Sequence, residues 1–234
     1  MIVSLMIIPV VIAVSKKLDI VDKPNFRKIH TKPISMLGGS AILLSFLIGI
    51  WLGEPIEREI KPLLLGSVVI YLVGLIDDLY DLKPIIKLIG QILAATVVVS
   101  YGVTIDFISL PIGPTIHFGW LGIPITIFWI VAITNAINLI DGLDGLAAGV
   151  SVIALATIAF IAILQGNIFI IMICSVLIGS LLGFLVFNFH PAKIFLGDSG
   201  ALLIGFIIGF VSLLGFKNIT FISLFFPIVI LAVP

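Results

Sequence analysis

Residues 168–187 read IFIIMICSVLIGSLLGFLVF, a run of twenty residues without a charged side chain. Because an α-helix rises 1.5 Å per residue, such a run spans about 30 Å, the thickness of the hydrocarbon core of a bilayer. The rest of the chain is similar in composition, since 61% of the 234 residues are hydrophobic and only 10% are charged. A soluble domain of this size needs more polar surface to cover its core. The sequence therefore predicts an all-α integral membrane protein.

Further apolar stretches on both sides of this run predict about nine membrane-spanning helices. The stretches run from 1 to 14, 37 to 53, 62 to 76, 85 to 101, 119 to 137, 146 to 164, 168 to 187, 200 to 216 and 219 to 234. Between 102 and 118, apolar residues alternate with the turn formers Pro111, Gly113 and Pro114, which predicts a short β-hairpin. Because we find no long repeat and no soluble linker, we expect one membrane domain over residues 1–234.

The charges define two faces of the predicted bundle. Twelve basic and twelve acidic residues cancel, so the chain has no overall field of the kind that favours nucleic acid, and we expect no nucleic-acid partner. Alternating the spans places nine basic residues on one side and three on the other, which predicts that the first side is cytoplasmic and the hairpin is outside. The expected location is the plasma or inner membrane. The nine are Lys16, Lys17, Lys23, Arg27, Lys28, Lys32, Lys83, Lys87 and Lys193.

Three carboxylates end the third span in the segment GLIDDLYDL, residues 74–82. If the helix continues, Asp81 lies three and four residues after Asp78 and Asp77, so the three side chains converge on one face. Such a cluster needs a cation, and oxygen ligands suit Mg²⁺. The alternative is a solvated helix end whose partners are Lys83 and Lys87.

A second polar segment, NAINLIDGLDGLAAG, follows the fifth predicted span. Asn135, Asn138, Asp141 and Asp144 recur every three residues, a spacing that favours a tight, 3₁₀-like turn. The glycines of this segment permit close approach of the backbone to a ligand. A turn capped by Asp and Asn side chains explains the same pattern without a ligand.

A third segment, FNFHPAKIFLGDSG, joins the seventh and eighth spans and contains Asn188, His190, Lys193 and Asp198. The step from Gly197 to Gly200 is suited to cap the eighth helix. In a second interpretation, Asp198 binds a metal ion, and Lys193 and the helix N-terminus contact an anion. The Phe195 ring then contacts a nucleobase. His190 before Pro191 is interpreted as a turn residue.

The first predicted cytoplasmic loop is basic and contains Lys23, Arg27, Lys28, His30 and Lys32. Topology alone explains such a loop. Three acidic segments on the same face nevertheless suggest a joint site, in which a metal offsets the carboxylates and the loop holds phosphate. That combination predicts phosphoryl-transfer chemistry.

Four motifs, DKPNFRKIH (22–30), GLIDDLYD (74–81), NAINLIDGLDGL (135–146) and FLGDSG (195–200), resemble the polyprenyl-phosphate N-acetylhexosamine-1-phosphate transferase family. The resemblance is to the branch that uses UDP-N-acetylglucosamine to begin teichoic acid, O-antigen or related surface polymers. It implies attack by a polyprenyl phosphate, such as undecaprenyl phosphate, on the β-phosphorus of the UDP-sugar. UMP then leaves, and Mg²⁺, or Mn²⁺ in its place, assists. A homodimer is an assembly that the resemblance leaves open.

The resemblance also implies roles for individual residues. The expected Mg²⁺ ligands are Asp198, Asp77 and Asp78. Asp77 and Asp78 are also expected to position or deprotonate the lipid phosphate. Asp141 is the third expected catalytic residue and, with Asn138, holds the surroundings of the nucleotide-sugar and metal. The other predicted substrate contacts are Asp144 and Phe195 at uracil, Lys28, His30 and Lys32 at phosphates, and Asn135, Lys193 and Gly197.

Three alternatives to this function remain at the level of sequence. The first is the related phospho-N-acetylmuramoyl-pentapeptide transferase, which shares the aspartate motifs. The second is an intramembrane prenyltransferase, because the segment from Asp77 to Asp81 also satisfies a DDxxD motif. The third is a transporter. Acidic residues of a transporter are expected near mid-membrane, whereas those of this chain are predicted at one end of the bundle. The family continues beyond the position of Pro234 into a histidine-rich cytoplasmic loop and a last helix, so we expect that portion to be missing from this sequence.

Overall fold

The computed structural model describes residues 1–22, 33–53, 58–109 and 115–215. Within these ranges the chain forms eight α-helices. They are α1 Ile2–Lys17, α2 Gly38–Gly53, α3 Ile60–Tyr80, α4 Pro84–Ser100, α5 Gly122–Ile140, α6 Leu146–Gln165, α7 Ile168–Asn188 and α8 Gly197–Gly215.

Eight of the nine predicted apolar stretches are therefore helical, and the ninth, 219–234, lies outside the described residues. Five of the eight described helices, α3 and α5 to α8, are long and apolar enough to cross a membrane. The protein is thus a mostly helical, multi-pass membrane protein, whereas nine spans stay a prediction.

Local sequence signals place several helix ends. Pro84 occupies the first turn of α4, where its fixed φ suits a helix start and its missing N–H costs nothing. Gly166 ends α6 with φ +70°, a conformation that glycine adopts without strain. Asn167 then begins α7, because its side-chain oxygen accepts a hydrogen bond from the Ile170 N–H at 3.1 Å. One glycine and one asparagine thus turn the chain back between two membrane helices.

Helix α8 lies at the centre of the bundle and packs against α2, α3, α5 and α6. Every residue from Ser199 to Leu213 is buried. Small residues allow this close packing, since a Cβ added at Gly205 would lie 2.7 Å from the Thr134 Cα of α5. Further along the same interface, the indole N–H of Trp129 donates to the Ser212 hydroxyl at 2.9 Å. The bundle therefore fixes α8, and with it the N-terminus of α8, against its neighbours.

Substituting Gly205 with alanine is expected to destabilise the bundle by roughly 1–2 kcal/mol. Overpacking against a backbone atom costs about 1–3 kcal/mol and outweighs the gain of up to about 1 kcal/mol in helix propensity. Gly149 of α6 is the matched control, because a Cβ there meets no heavy atom within 4 Å. Thermal unfolding in detergent should give a lower Tm for Gly205→Ala than for Gly149→Ala, and the reverse order would contradict this packing.

Two short strand pairs lie at opposite ends of the bundle. Val21–Asp22 (β1) pairs antiparallel with Ile34–Ser35 (β2), and most of the predicted basic loop, including Lys28, His30 and Lys32, lies between them and outside the described residues. Phe107–Ser109 (β3) pairs antiparallel with Thr115–His117 (β4) inside the segment 102–118. The side of the membrane on which the β3–β4 pair lies stays a prediction.

Candidate active site

Four helix ends meet at one end of the bundle, where α3 and α5 end and where α4 and α8 begin. We call Asp77, Asp78, Asp141 and Asp198 the acidic cluster. Asp77 and Asp78 lie in the last turn of α3, Asp141 directly follows α5, and Asp198 lies in the first turn of α8. The structure thus brings together the aspartates of three motifs that are far apart in the sequence.

Lys87, in the first turn of α4, joins two members of the acidic cluster. Its ammonium lies 2.7 Å from Oδ2 of Asp77 and 3.4 Å from Oδ1 of Asp198. The Asp77 side chain is only 2% exposed, so its ion pair with Lys87 provides the charge compensation that a buried carboxylate requires. The other oxygen of Asp77 accepts the Leu82 N–H at 2.8 Å. Asp77 is therefore held from both sides.

Asp78 caps the N-terminus of α8 from across the helix interface. Its two carboxylate oxygens accept the backbone N–H groups of Asp198, at 2.7 Å, and Ser199, at 3.1 Å. Helix α8 does begin at Gly197, as predicted. Its cap, however, is the side chain of Asp78 in α3, which lies 120 residues before Asp198. Gly197 has φ +72°, and a Cβ there would lie 2.8 Å from Oδ2 of Asp78, so only glycine fits between the two helices.

Asp81 does not join the pair as the sequence predicts. Helix α3 ends at Tyr80, and Asp81 adopts a left-handed conformation with φ 51° and an exposed side chain. The prediction that the three carboxylates share a helical face is therefore wrong. The physical reason is that the chain must turn sharply into α4, and Asp tolerates the left-handed region better than most residues.

Asp141 is a half-buried member of the acidic cluster. Burial, followed by the negative charges of Asp198 and Asp78, raises the pKa of Asp141 to about 7. The Asp141 carboxyl therefore keeps its proton to a higher pH than an ordinary aspartate, which is ionised at neutral pH. A cation placed among these side chains would favour the ionised form. The cluster consequently has unsatisfied negative potential despite Lys87.

The asparagines of the second motif lie inside α5 rather than in the predicted 3₁₀-like turn. Asn135 exchanges hydrogen bonds with the Gln91 amide of α4 at 2.5 and 3.2 Å and also donates to the Val131 carbonyl at 2.9 Å. Asn135 thus joins α4 to α5, which is a structural role in addition to its predicted contact with substrate. Asn138 is half-buried in the last turn of α5, where its backbone carbonyl accepts the Asp141 N–H at 3.3 Å.

The turn after α5 packs against the loop before α8. The carboxylate of Asp144 lies 3.0 Å from Nδ1 of His190 and accepts the Ala192 N–H at 3.2 Å. The buried side chain of Asn188 accepts the Gly145 N–H at 2.9 Å and donates to the Ile194 carbonyl at 2.8 Å. His190 is therefore more than a turn residue, because it helps to fix Asp144.

The loop before α8 also contacts the segment that follows the basic loop. The Phe195 N–H donates to the Ser35 carbonyl at 2.8 Å, and the Gly38 N–H donates to the Phe195 carbonyl at 3.1 Å. The Phe195 side chain is half-buried, and Lys193 is exposed. Strand β2, which follows the basic loop in the sequence, therefore lies beside the segment that leads to Asp198.

The acidic cluster fits a divalent cation chiefly through Asp198. In the described part of the chain, no three His, Cys, Asp or Glu side chains are grouped closely enough to hold a metal by themselves. Asp77 is paired with Lys87, and both oxygens of Asp78 are occupied by α8. Asp198, in contrast, has a side chain that is 35% exposed. Mg²⁺ in phosphoryl-transfer sites usually takes one or two carboxylates together with substrate phosphates, and Asp198 suits that arrangement.

Lys87 is confirmed as a partner of these carboxylates, which the sequence predicts only in the alternative of a solvated helix end. Gln91 is absent from the predicted site residues. A usable signal exists, because the two residues are four apart and lie on the same face of an otherwise apolar helix. Polar residues in a membrane helix generally mark a functional site.

The described residues thus form a polytopic helical membrane protein in which four aspartates and one lysine gather at one end of the bundle. Residues 61–216 match the family described as glycosyl transferase family 4, and the chain belongs to this family. It is 45% identical over 233 residues to a probable undecaprenyl-phosphate N-acetylglucosaminyl 1-phosphate transferase of Bacillus subtilis (strain 168), covering 98% of this chain and 65% of that relative.

Two further relatives are more distant. A decaprenyl-phosphate N-acetylglucosaminephosphotransferase of Mycobacterium leprae (strain TN) is 36% identical over 82% of this chain and 53% of its own length. A phospho-N-acetylmuramoyl-pentapeptide-transferase of Wolbachia pipientis wMel is 38% identical over 82% of this chain and 63% of its own length. The chain therefore spans between about half and two thirds of the length of these relatives.

Proposed function

We propose that this protein transfers N-acetylglucosamine 1-phosphate from UDP-N-acetylglucosamine to a polyprenyl phosphate, with release of UMP. The observation that carries the proposal is the acidic cluster with Lys87 at one mouth of an apolar helical bundle. A lipid phosphate reaches such a mouth from the bilayer, and a nucleotide-sugar reaches it from water. The names of the relatives support the same pair of substrates.

The reaction joins two anions. An oxygen of the lipid phosphate forms a bond to the β-phosphorus of the UDP-sugar, and the bond from that phosphorus to the bridging oxygen breaks, so that UMP leaves with the bridging oxygen. This displacement needs in-line positioning and charge neutralisation more than covalent help. Mg²⁺, when bound, supplies part of that neutralisation, and Mn²⁺ has the same ligand preference.

We assign each residue of the acidic cluster a separate role in this reaction. Asp198 holds the metal ion, with Asp141 facing it. Asp77, which is held in place by its ion pair with Lys87, positions the lipid phosphate or accepts its last proton. Asp78 contributes by holding α8 in place, and so fixes Asp198.

The nucleotide end of the site is assigned to the loops around α8. Asp144, fixed by His190, and the half-buried ring of Phe195 meet the uracil. The remaining proposed substrate contacts are Lys28, His30, Lys32, Asn135, Asn138, Lys193 and Gly197. The hydrogen bonds of Phe195 with Ser35 and Gly38 support this assignment, because they join the segment after the basic loop to the segment that precedes Asp198.

We assign the active site to the cytoplasmic face of the plasma or inner membrane. The support is the excess of basic residues on the loops at that end of the bundle. A nucleotide-sugar is also a cytoplasmic compound, so a site on this face meets its substrate directly.

The competing activity is transfer of phospho-N-acetylmuramoyl-pentapeptide, as named for the Wolbachia relative. Purified protein in detergent should release UMP only when both a polyprenyl phosphate and its own UDP-sugar are present. We expect release with UDP-N-acetylglucosamine and none with UDP-N-acetylmuramoyl-pentapeptide. The opposite preference would replace the proposed sugar, and no release with either would favour the prenyltransferase or transporter alternatives.

A further inference from the structure

The ammonium of Lys87 occupies the position that a cation takes in a carboxylate site. It lies between two carboxylates of different character, the nearly inaccessible Asp77 and the partly exposed Asp198. The Asp77 contact is short, at 2.7 Å, and the Asp198 contact is long, at 3.4 Å. The weaker contact is therefore the one on the solvent side.

This arrangement has an electrostatic consequence for a metal at Asp198. Lys87 already neutralises part of the charge on Asp198, and it repels a second cation that arrives within a few ångströms. A divalent ion alone therefore has to displace the ammonium from Asp198. An anion near Lys87 removes this obstacle, because the ammonium has three donors and can turn from Asp198 to the anion while keeping Asp77.

We propose that Lys87 is an internal counter-ion that makes metal binding depend on the nucleotide diphosphate. Without the diphosphate, Lys87 holds Asp198 and weakens its affinity for a divalent cation. When the diphosphate binds, Lys87 donates to a phosphate oxygen and frees Asp198 for the metal. The inference rests on the proposed function in one respect, which is that the anion is the diphosphate of a uridine nucleotide.

The test measures the two ligands separately in Lys87→Met. Mn²⁺ binding without nucleotide, followed by electron paramagnetic resonance, should become at least about tenfold tighter because the competing charge is gone. UDP binding in EDTA, followed by calorimetry, should become at least about tenfold weaker because a phosphate donor is gone. A merely structural role for Lys87 would weaken the binding of both ligands.

Two further variants control the experiment. Lys83→Met makes the same charge change one turn earlier, at an exposed position, and should change either affinity by less than about threefold. The double variant Lys87→Met with Asp77→Asn removes both partners of the buried pair, which avoids an uncompensated buried charge, and should also bind Mn²⁺ more tightly.

The outcomes separate this inference from the proposed function. Unchanged or weaker Mn²⁺ binding in both Lys87 variants, with normal UDP binding to the wild-type protein, would overturn the counter-ion role alone. Absence of UDP binding to the wild-type protein would overturn the coupling together with the proposed function, while the Mn²⁺ measurements would still decide whether Lys87 competes for Asp198.

Discussion

Asp198→Asn is expected to lower the rate of UMP release by at least about a thousandfold while leaving the protein folded. A metal ion contributes several kcal/mol to such a transition state, and about 4 kcal/mol corresponds to this factor. The asparagine amide offers an oxygen ligand but lacks the charge that holds Mg²⁺. The Asp198 backbone N–H that donates to Asp78 is unaffected, so the start of α8 should persist.

The measurement is UMP release at saturating substrates across a Mg²⁺ titration. Asp106→Asn is the matched control, because Asp106 is exposed between α4 and α5 at the opposite end of the bundle. Its turnover should equal that of the wild-type protein. Turnover near the wild-type rate by Asp198→Asn at low Mg²⁺ would exclude Asp198 as the metal ligand.

Asp77→Asn and Asp78→Asn should each lower the maximal rate by at least about a hundredfold, the lower range for lost acid–base or positioning groups. They should differ in stability. Asp78→Asn leaves only one oxygen for the two N–H groups that start α8, and a lost cap costs about 0.5–2 kcal/mol. Asp77→Asn keeps the α8 cap but leaves Lys87 without the charge of its buried partner.

Asp81→Asn should change the rate by less than about threefold, since Asp81 is exposed beyond the end of α3. Rates of the three variants, measured together, should therefore give two strongly impaired proteins, Asp77→Asn and Asp78→Asn, and one protein with a rate close to that of the wild type. Loss of activity in Asp81→Asn as complete as in the other two would favour the DDxxD mechanism of a prenyltransferase.

The helices could be predicted from the sequence because burial in lipid leaves a strong local signal. Apolar runs, glycines and prolines mark the helices from α1 to α8 within a few residues. The motif resemblance likewise predicted which aspartates gather, although they come from helices far apart in the chain. Asp77, Asp141 and Asp198 meet because α8 packs centrally against α3 and α5.

The partners of these aspartates could not be predicted in the same way. Whether Lys87 faces water or Asp77 depends on how α4 packs against α3, and no local pattern specifies that packing. The same holds for Asp78, whose bonds to α8 follow from close approach at Gly74, where a Cβ would lie 2.4 Å from the Ser199 Cα. The prediction for Asp81 was wrong for a local reason, because a left-handed turn at this residue ends the helical periodicity of α3.

Labelling the β-phosphorus of UDP-N-acetylglucosamine with ³²P distinguishes transfer of the sugar phosphate to the lipid from transfer of the sugar alone. Purified protein is incubated with polyprenyl phosphate, and the lipid and aqueous phases are separated. We expect the label to move to the lipid phase together with the sugar, in step with the release of unlabelled UMP into water. Sugar in the lipid phase with the label left in water as UDP would contradict phosphosugar transfer and indicate transfer of the sugar alone.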